Sequence, residues 1–180
     1  SASEIYSAAI QDYERGIIIG STTTGKGTAQ VQLDTLAHGQ ATLTQRKFYR
    51  VTGGSTQNKG VIPDIKLVDI YNEEFGERKS KNALKWDTIP TAPFKRAGST
   101  QPYVAKLSQA SAQRVLADSK FKYLEARTAI NKKSADQKKV VLDIDQRRAE
   151  LMDLEKQTLA VENQRRVATG QVPYANWESY

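Results

Sequence analysis

Two residue types near the start of the chain could together carry out acyl transfer: the serine of SASE, Ser1, and the lysine of TTGKGT, Lys26. A serine hydroxyl is a poor nucleophile at neutral pH and needs a neighbouring base. A lysine serves when desolvation or nearby positive charge keeps it neutral. Gly25 and Gly27 flank Lys26 and let the backbone turn tightly, which brings the ammonium close to another element. Lys26 follows Ser1 by 25 residues, enough for a helix, a strand and a return, so the two side chains can meet in space. Taken singly, each residue has a plainer reading. Ser1 is a favoured helix cap, Lys26 an ordinary solvated loop lysine, and Gln30 says almost nothing.

A rival chemistry uses the same stretch. Gly20 to Gly27 reads G-x-x-x-x-G-K-G after the apolar run Ile17 to Ile19, close to a phosphate-binding loop. That motif needs Ser or Thr after the lysine to reach magnesium, and a following helix to aim its N-terminus at phosphate. Gly27 breaks the first requirement. The alternating TAQVQL, which reads as a strand, breaks the second.

The joint pattern of SASE, GKGTAQ at this distance and the later KFYRVTGGSTQNKGVIPDI resembles the C-terminal processing, or tail-specific, serine proteases of the bacterial periplasmic type. The likeness continues more weakly into the helical tail. It implies a serine-lysine dyad with Ser1 as nucleophile, Lys26 as general base and Gln30 as the group that orients the lysine. The N–H of Ala2, the residue after the nucleophile, would contribute to an oxyanion hole. Asp12 matches a family carboxylate. On an unbroken helix from Ser3 to Tyr13 it would lie roughly 15 Å along the axis from Ser1, which suits a structural role, pairing with a base elsewhere, better than a relay. A third chemistry, in which Ser1 uses its own α-amine as base, disagrees with the resemblance, because the family serine lies inside a longer chain.

The same resemblance implies that a substrate-gating PDZ domain, the first half of the protease core, a second oxyanion donor and an export signal lie upstream of Ser1. This chain alone is then expected to be inactive. The implied activity is that of a serine endopeptidase acting through an acyl-enzyme on polypeptides with an apolar, accessible C-terminus. No cofactor and no metal is implied.

The elements that must position these residues follow from patterning. Ile5, Ala8, Ala9 and Ile10 with Tyr6 and Tyr13 give a first helix an apolar side, and Gly16 is expected to stop it. Ile17 to Ile19 reads as a strand covered on both faces. Thr28 to Leu33 continues as a strand, LAHGQ turns the chain, and Thr42 to Thr52 suits a half-exposed strand. His38 is the sole histidine, which excludes a histidine-cluster metal site. The glycine-rich Gly53 to Gly60 is a loop, and Val61 to Ile65 around Pro63 is extended. Asp64 reads as a turn or cap residue.

Leu67 to Gly98 carries Pro90, Pro93, Trp86 and Phe94, and lacks the Gly and Ser of a free linker. After Ser99 strong helix formers dominate. Tyr103, Leu107, Ala110 and Val115 form one stripe, and Tyr123, Ala126 and Ile130 a second after a break near Asp118. Lys139 to Ile144 alternates as a short strand would. From Asp145, Leu151, Leu154, Thr158 and Val161 make a narrow seam suited to helix-on-helix packing. The fold class expected is an α/β protease half-domain followed by a mainly helical C-terminal domain. Its divisions are 1–68 for the half-core, 69–98 for an ordered linker and 99–180 for the helical accessory domain.

Composition bounds the remaining classes. The 180 residues are 38% hydrophobic and 26% charged, globular but on the polar side. No apolar run approaches the roughly 20 residues of a membrane span. The absence of cysteine excludes disulfides and thiolate metal sites. A net charge of +7 raises nucleic acid as a partner, but the charge is not concentrated in a block and aromatics are not interleaved with it. The competing class is a non-catalytic interaction module, in which 99–180 docks an adaptor or a second copy.

Overall fold

The computed structural model describes residues 1–33, 38–69 and 76–180. They form two compact units. One comprises Ser1–Leu67 with the described residues up to Ser108, the other Val68 and Asp69 with Gln109–Tyr180. Among the described residues the elements are small sheets and four α-helices, with the C-terminal part mainly helical.

Helix α1 (Ala2–Asp12) begins in a capping box. Ser1 Oγ accepts the Glu4 N–H at 3.4 Å, and the Glu4 carboxylate accepts from the Ser1 nitrogen at 2.9 Å, so both ends of the first turn are satisfied reciprocally. The helix does not wait for Gly16. Glu14 takes a left-handed φ of 51°, and the Arg15 N–H returns to the Ile10 carbonyl at 3.0 Å, a C-terminal closure usually given to glycine. Gly16 instead allows close packing, since a Cβ there would sit 3.1 Å from Ile10 Cγ2.

The triple isoleucine departs most from expectation. Only β1 (Ile19–Gly20) is regular strand, paired in parallel with β4 (Ile65–Lys66), and Ile19 is 57% exposed. Among the described residues this sheet has two strands, so nothing here covers the second face that a continuous β-branched run suits. Asp64 secures the strand start: its carboxylate accepts the Ile18 N–H at 2.8 Å and the Gln11 amide at 3.0 Å.

Strands β2 (Thr28–Leu33) and β3 (Ala41–Lys47) form an antiparallel hairpin. β3 ends at Lys47, short of the expected Thr52, because the chain turns there into a tight bend closed by Arg50 and Gly54, with Tyr49 bridging Ser55. Ala29 faces Arg46 but Gln30 faces Thr44, which leaves Gln45 as the extra residue of a bulge. The expected turn over LAHGQ lies partly outside the described residues. His38 itself is exposed.

Residues 76–98 pack on this same unit. Trp86 donates its indole N–H to the Ser55 carbonyl at 2.8 Å, Lys47 pairs with Asp87 at 2.7 Å, and Phe94 meets Tyr13 edge-on at 5.5 Å. The Ile89 and Ala92 N–H groups bond to Gly53 and Val51.

In the second unit, α3 (Ser119–Asp136) and α4 (Ile144–Ala168) are each capped by an aspartate, Asp118 and Asp143. Helix α2 (Gln101–Ala117) precedes them. α3 and α4 pack antiparallel: Arg165 lies over Tyr123 at one end, while Ile130 and Leu154 share a cleft near the other. Lys139 to Ile144 does not form the expected strand. Asp143 accepts the N–H groups of Asp145 and Gln146 and so commits Ile144 to a helix start. The seam of α4 is buried at Thr158 and exposed at Leu151. The tail is tied down, because the Asn163 amide both donates to and accepts from the Tyr174 backbone, at 2.9 and 2.7 Å, and Tyr174 and Trp177 both pack on Tyr180. Removing that amide as Asn163→Ala is expected to cost about 1 kcal/mol, because the two Tyr174 backbone groups it meets are only part-buried. Urea unfolding followed by tryptophan fluorescence measures this, and an unchanged midpoint would show that the tail contributes nothing to the unit.

Candidate active site

Ser1 caps α1 with its hydroxyl side exposed, and Ala2 opens the first turn, where helical N–H groups lack intrahelical acceptors. Lys26 lies in the loop between β1 and β2, half-buried. The two segments meet where the α-ammonium of Ser1, which also donates to Glu4, donates to the Lys26 carbonyl at 2.9 Å. Lys26 Nζ donates to Gln30 Oε1 at 2.9 Å, and Gln30 Nε2 reaches Thr44 Oγ1 at 3.3 Å. Ser1, Ala2, Lys26 and Gln30 therefore fall in one neighbourhood. The bulge in β3 contributes, since it sets Thr44 opposite Gln30.

Asp12 does not join them. It closes the far end of α1, buried, and forms a two-pronged pair with Arg50, Nε to Oδ2 at 2.9 Å and Nη2 to Oδ1 at 2.5 Å. Arg50 also holds Gln11 Oε1 at 2.9 Å. The pair ties the helix end to the bend after β3. A cleft of about 370 Å³ lined in part by Gln11, Arg50, Lys59 and Trp86 opens at that end, away from Ser1.

The group that joins the Ser1 and Lys26 segments is Glu4, 1% exposed. One carboxylate oxygen accepts the Gly25 N–H at 2.6 Å and the Thr23 hydroxyl at 2.5 Å, and the other accepts from Ser1. Burial on its own pushes the carboxyl up. The donated bonds from Thr23, the Ser1 α-ammonium and Gly25, with the charge of that ammonium, outweigh it, and Glu4 lies below the ordinary glutamate value of 4.5. Across the loop, the fully buried Gln57 accepts the Gly27 N–H at 2.9 Å. A Cβ on Gly27 would stand 2.5 Å from the Gln57 nitrogen, and one on Gly25 2.9 Å from the Asn58 carbonyl carbon. The two glycines are thus required by close backbone approach, and Lys26 is the one side chain the turn can carry. Glu4 was legible in part, because S-x-x-E is the capping-box signature. Gln57 and Thr23 carry no such signal.

Among the described residues no group of His, Cys, Asp or Glu is placed to hold a metal, and no helix is long and apolar enough to cross a membrane.

This arrangement coincides with two family matches. Residues 1–67 match Peptidase family S41. Residues 70–180 match the family described as the C-terminal domain of tail specific protease. A tail-specific protease of Haemophilus influenzae is 41% identical over 163 residues, covering 83% of this chain and 23% of that protein. A carboxy-terminal-processing protease of Bartonella bacilliformis is 42% identical over 75 residues, 42% of this chain and 17% of that protein. The chain belongs to the tail-specific protease family, and it spans about a quarter or less of the length of these relatives.

A carboxyl depressed on folding contributes stability that is complete above its unfolded value and is lost as pH falls through the folded value. Glu4→Gln is therefore expected to lower stability at neutral pH and to flatten its decline on the acid side of about pH 4.5. Denaturant midpoints at a series of pH values test this. Parallel wild-type and variant curves would remove Glu4 from the acid response.

Proposed function

We propose that the chain supplies the nucleophile and base of a serine endopeptidase acting through an acyl-enzyme. The observation that supports this reading is the bond from the Ser1 nitrogen to the Lys26 carbonyl at 2.9 Å, with Lys26 Nζ donating to Gln30 Oε1 at 2.9 Å. Lys26 Nζ takes the proton as Ser1 Oγ bonds to the peptide carbonyl carbon. It returns that proton to the leaving amine as the C–N bond breaks. Water, deprotonated by the same lysine, then releases the new carboxylate. The oxyanion would meet the first-turn N–H groups, Ala2 among them, at the positive end of the helix dipole. Substrates are polypeptides with accessible, apolar C-termini. The longer protein would be periplasmic, and its upstream part would supply substrate selection and a second oxyanion donor, leaving these 180 residues inactive alone. Asp12 acts here as a structural anchor through Arg50.

The interaction-module reading has one observation of its own: Val140, Leu142, Ile144 and Met152 are exposed, Leu142 at 95%. Light scattering on residues 99–180 addresses it, and a monomer that captures neither adaptor nor second copy counts against it.

The upstream-extended protein is expected to degrade an unfolded protein ending in apolar residues without ATP or added metal, and both Ser1→Ala and Lys26→Met should reduce turnover at least about a thousandfold with the fold retained. Equal cleavage by wild type and Lys26→Met would remove the lysine from the mechanism.

A further inference from the structure

The base-bearing turn is gripped from a third side, by chain that follows the peptidase match. The short 3-10 turn Glu77–Lys79 belongs to the same compact unit as Ser1 and Lys26. Its Glu77 makes two contacts toward that turn. The Glu77 N–H donates to the Thr24 carbonyl at 2.8 Å, and Glu77 Oε1 accepts from Gln57 Nε2 at 3.2 Å.

The second contact matters because of what Gln57 does. Its side chain is 0% exposed, so its amide must match an acceptor to its N–H₂ and a donor to its oxygen. The Gly27 N–H is the donor and Glu77 is the acceptor. Without Glu77 the buried Nε2 loses this acceptor, and the amide is then free to rotate toward another, releasing Gly27. The backbone around Lys26 is also held by Glu4 on the Gly25 N–H, by the Asn58 N–H on the Gly25 carbonyl at 2.9 Å, by the Ser1 nitrogen on the Lys26 carbonyl and by the Phe48 N–H on the Gly27 carbonyl at 2.7 Å. Gln57 is the side chain that meets the Gly27 N–H, whose other acceptor is the Gly25 carbonyl within the turn itself, at 3.1 Å.

We propose that Glu77 is a positioning residue for the lysine base, acting through Gln57 and through the Thr24 carbonyl to fix the Gly25-Lys26-Gly27 turn. Glu77 lies within residues 70–180, matched to the C-terminal domain family, outside the 1–67 peptidase match. The segment after the peptidase match therefore completes the support of the active site. The inference rests on Lys26 being the general base.

The test uses the upstream-extended protein with a C-terminally apolar substrate, rates being referred to serines titrated with a fluorophosphonate. Glu77→Ala is expected to lower kcat per titrated site about tenfold or more, as for a misplaced catalytic group, with KM within about twofold. Glu77→Gln keeps an oxygen acceptor for Gln57 and is expected to retain kcat within about threefold. If Glu77→Ala fails to fold, Glu77→Asp keeps charge and backbone N–H but withdraws the acceptor by one methylene, and should show the same kcat loss. Wild-type kcat per titrated site in the Ala or Asp variant overturns the proposal, as does equal loss in the Gln and Ala variants. Lys26→Met run alongside separates the two failures: an active Lys26→Met sinks the mechanism itself, whereas an inactive one with unaffected Glu77 variants sinks the positioning role alone.

Discussion

The carboxylate of Glu4 is the point on which the catalytic half depends. An ionised group taken out of water is tolerated only when donors replace its hydration. Here the donors come from two segments: the start of α1 through Ser1, and the loop between β1 and β2 through Thr23 and Gly25. Satisfying one charge thereby fixes the mutual placement of these two stretches of backbone. Charge-assisted bonds of this kind are short and directional, so they hold the start of α1 and the Lys26 loop in a fixed register.

This logic extends through the unit. Its buried apolar side chains are Ala8, Val61 and Ile65, whereas Glu4, Asp12, Thr28, Ser55, Thr56 and Gln57 are buried and polar. Apolar packing is indifferent to small rotations, but a matched polar network specifies one geometry. The Asp12–Arg50 pair serves the same end at the other terminus of α1, so the helix carrying the serine is pinned at both ends by ionic contacts and not by a broad apolar face.

Much of this was legible in sequence where local rules act. The Ser1 cap, the strand from Thr28, the break at Asp118 and the helix after Asp143 follow from side-chain chemistry within a few residues. The expectations for Gly16, Ile17 to Ile19 and Lys139 to Ile144 failed for different reasons. Glu14 accepted a conformation that statistics assign to glycine. The isoleucine run reads as a buried strand only if further strands flank it. At Lys139 to Ile144, alternation without a neighbouring strand edge could not compete with a helix cap. Glu4 and Gln57 act on backbone 21 and 30 residues away, and no periodicity reports contacts at that range. The family was legible because several short motifs occur together at fixed separation, although each alone is commonplace.

The bulge at Gln45 has a consequence for how the hairpin can vary. In an ordinary hairpin the connecting turn decides which residues face each other, and a changed turn length slips the pairing and inverts every side chain. Here the extra residue sets the pairing of Gln30 with Thr44 from the base of the hairpin, next to the site. The connection between Leu33 and Ala41 is thereby relieved of that task. Changes of length at the hairpin tip can then be taken up without moving Gln30, which accepts from Lys26 Nζ, away from Thr44.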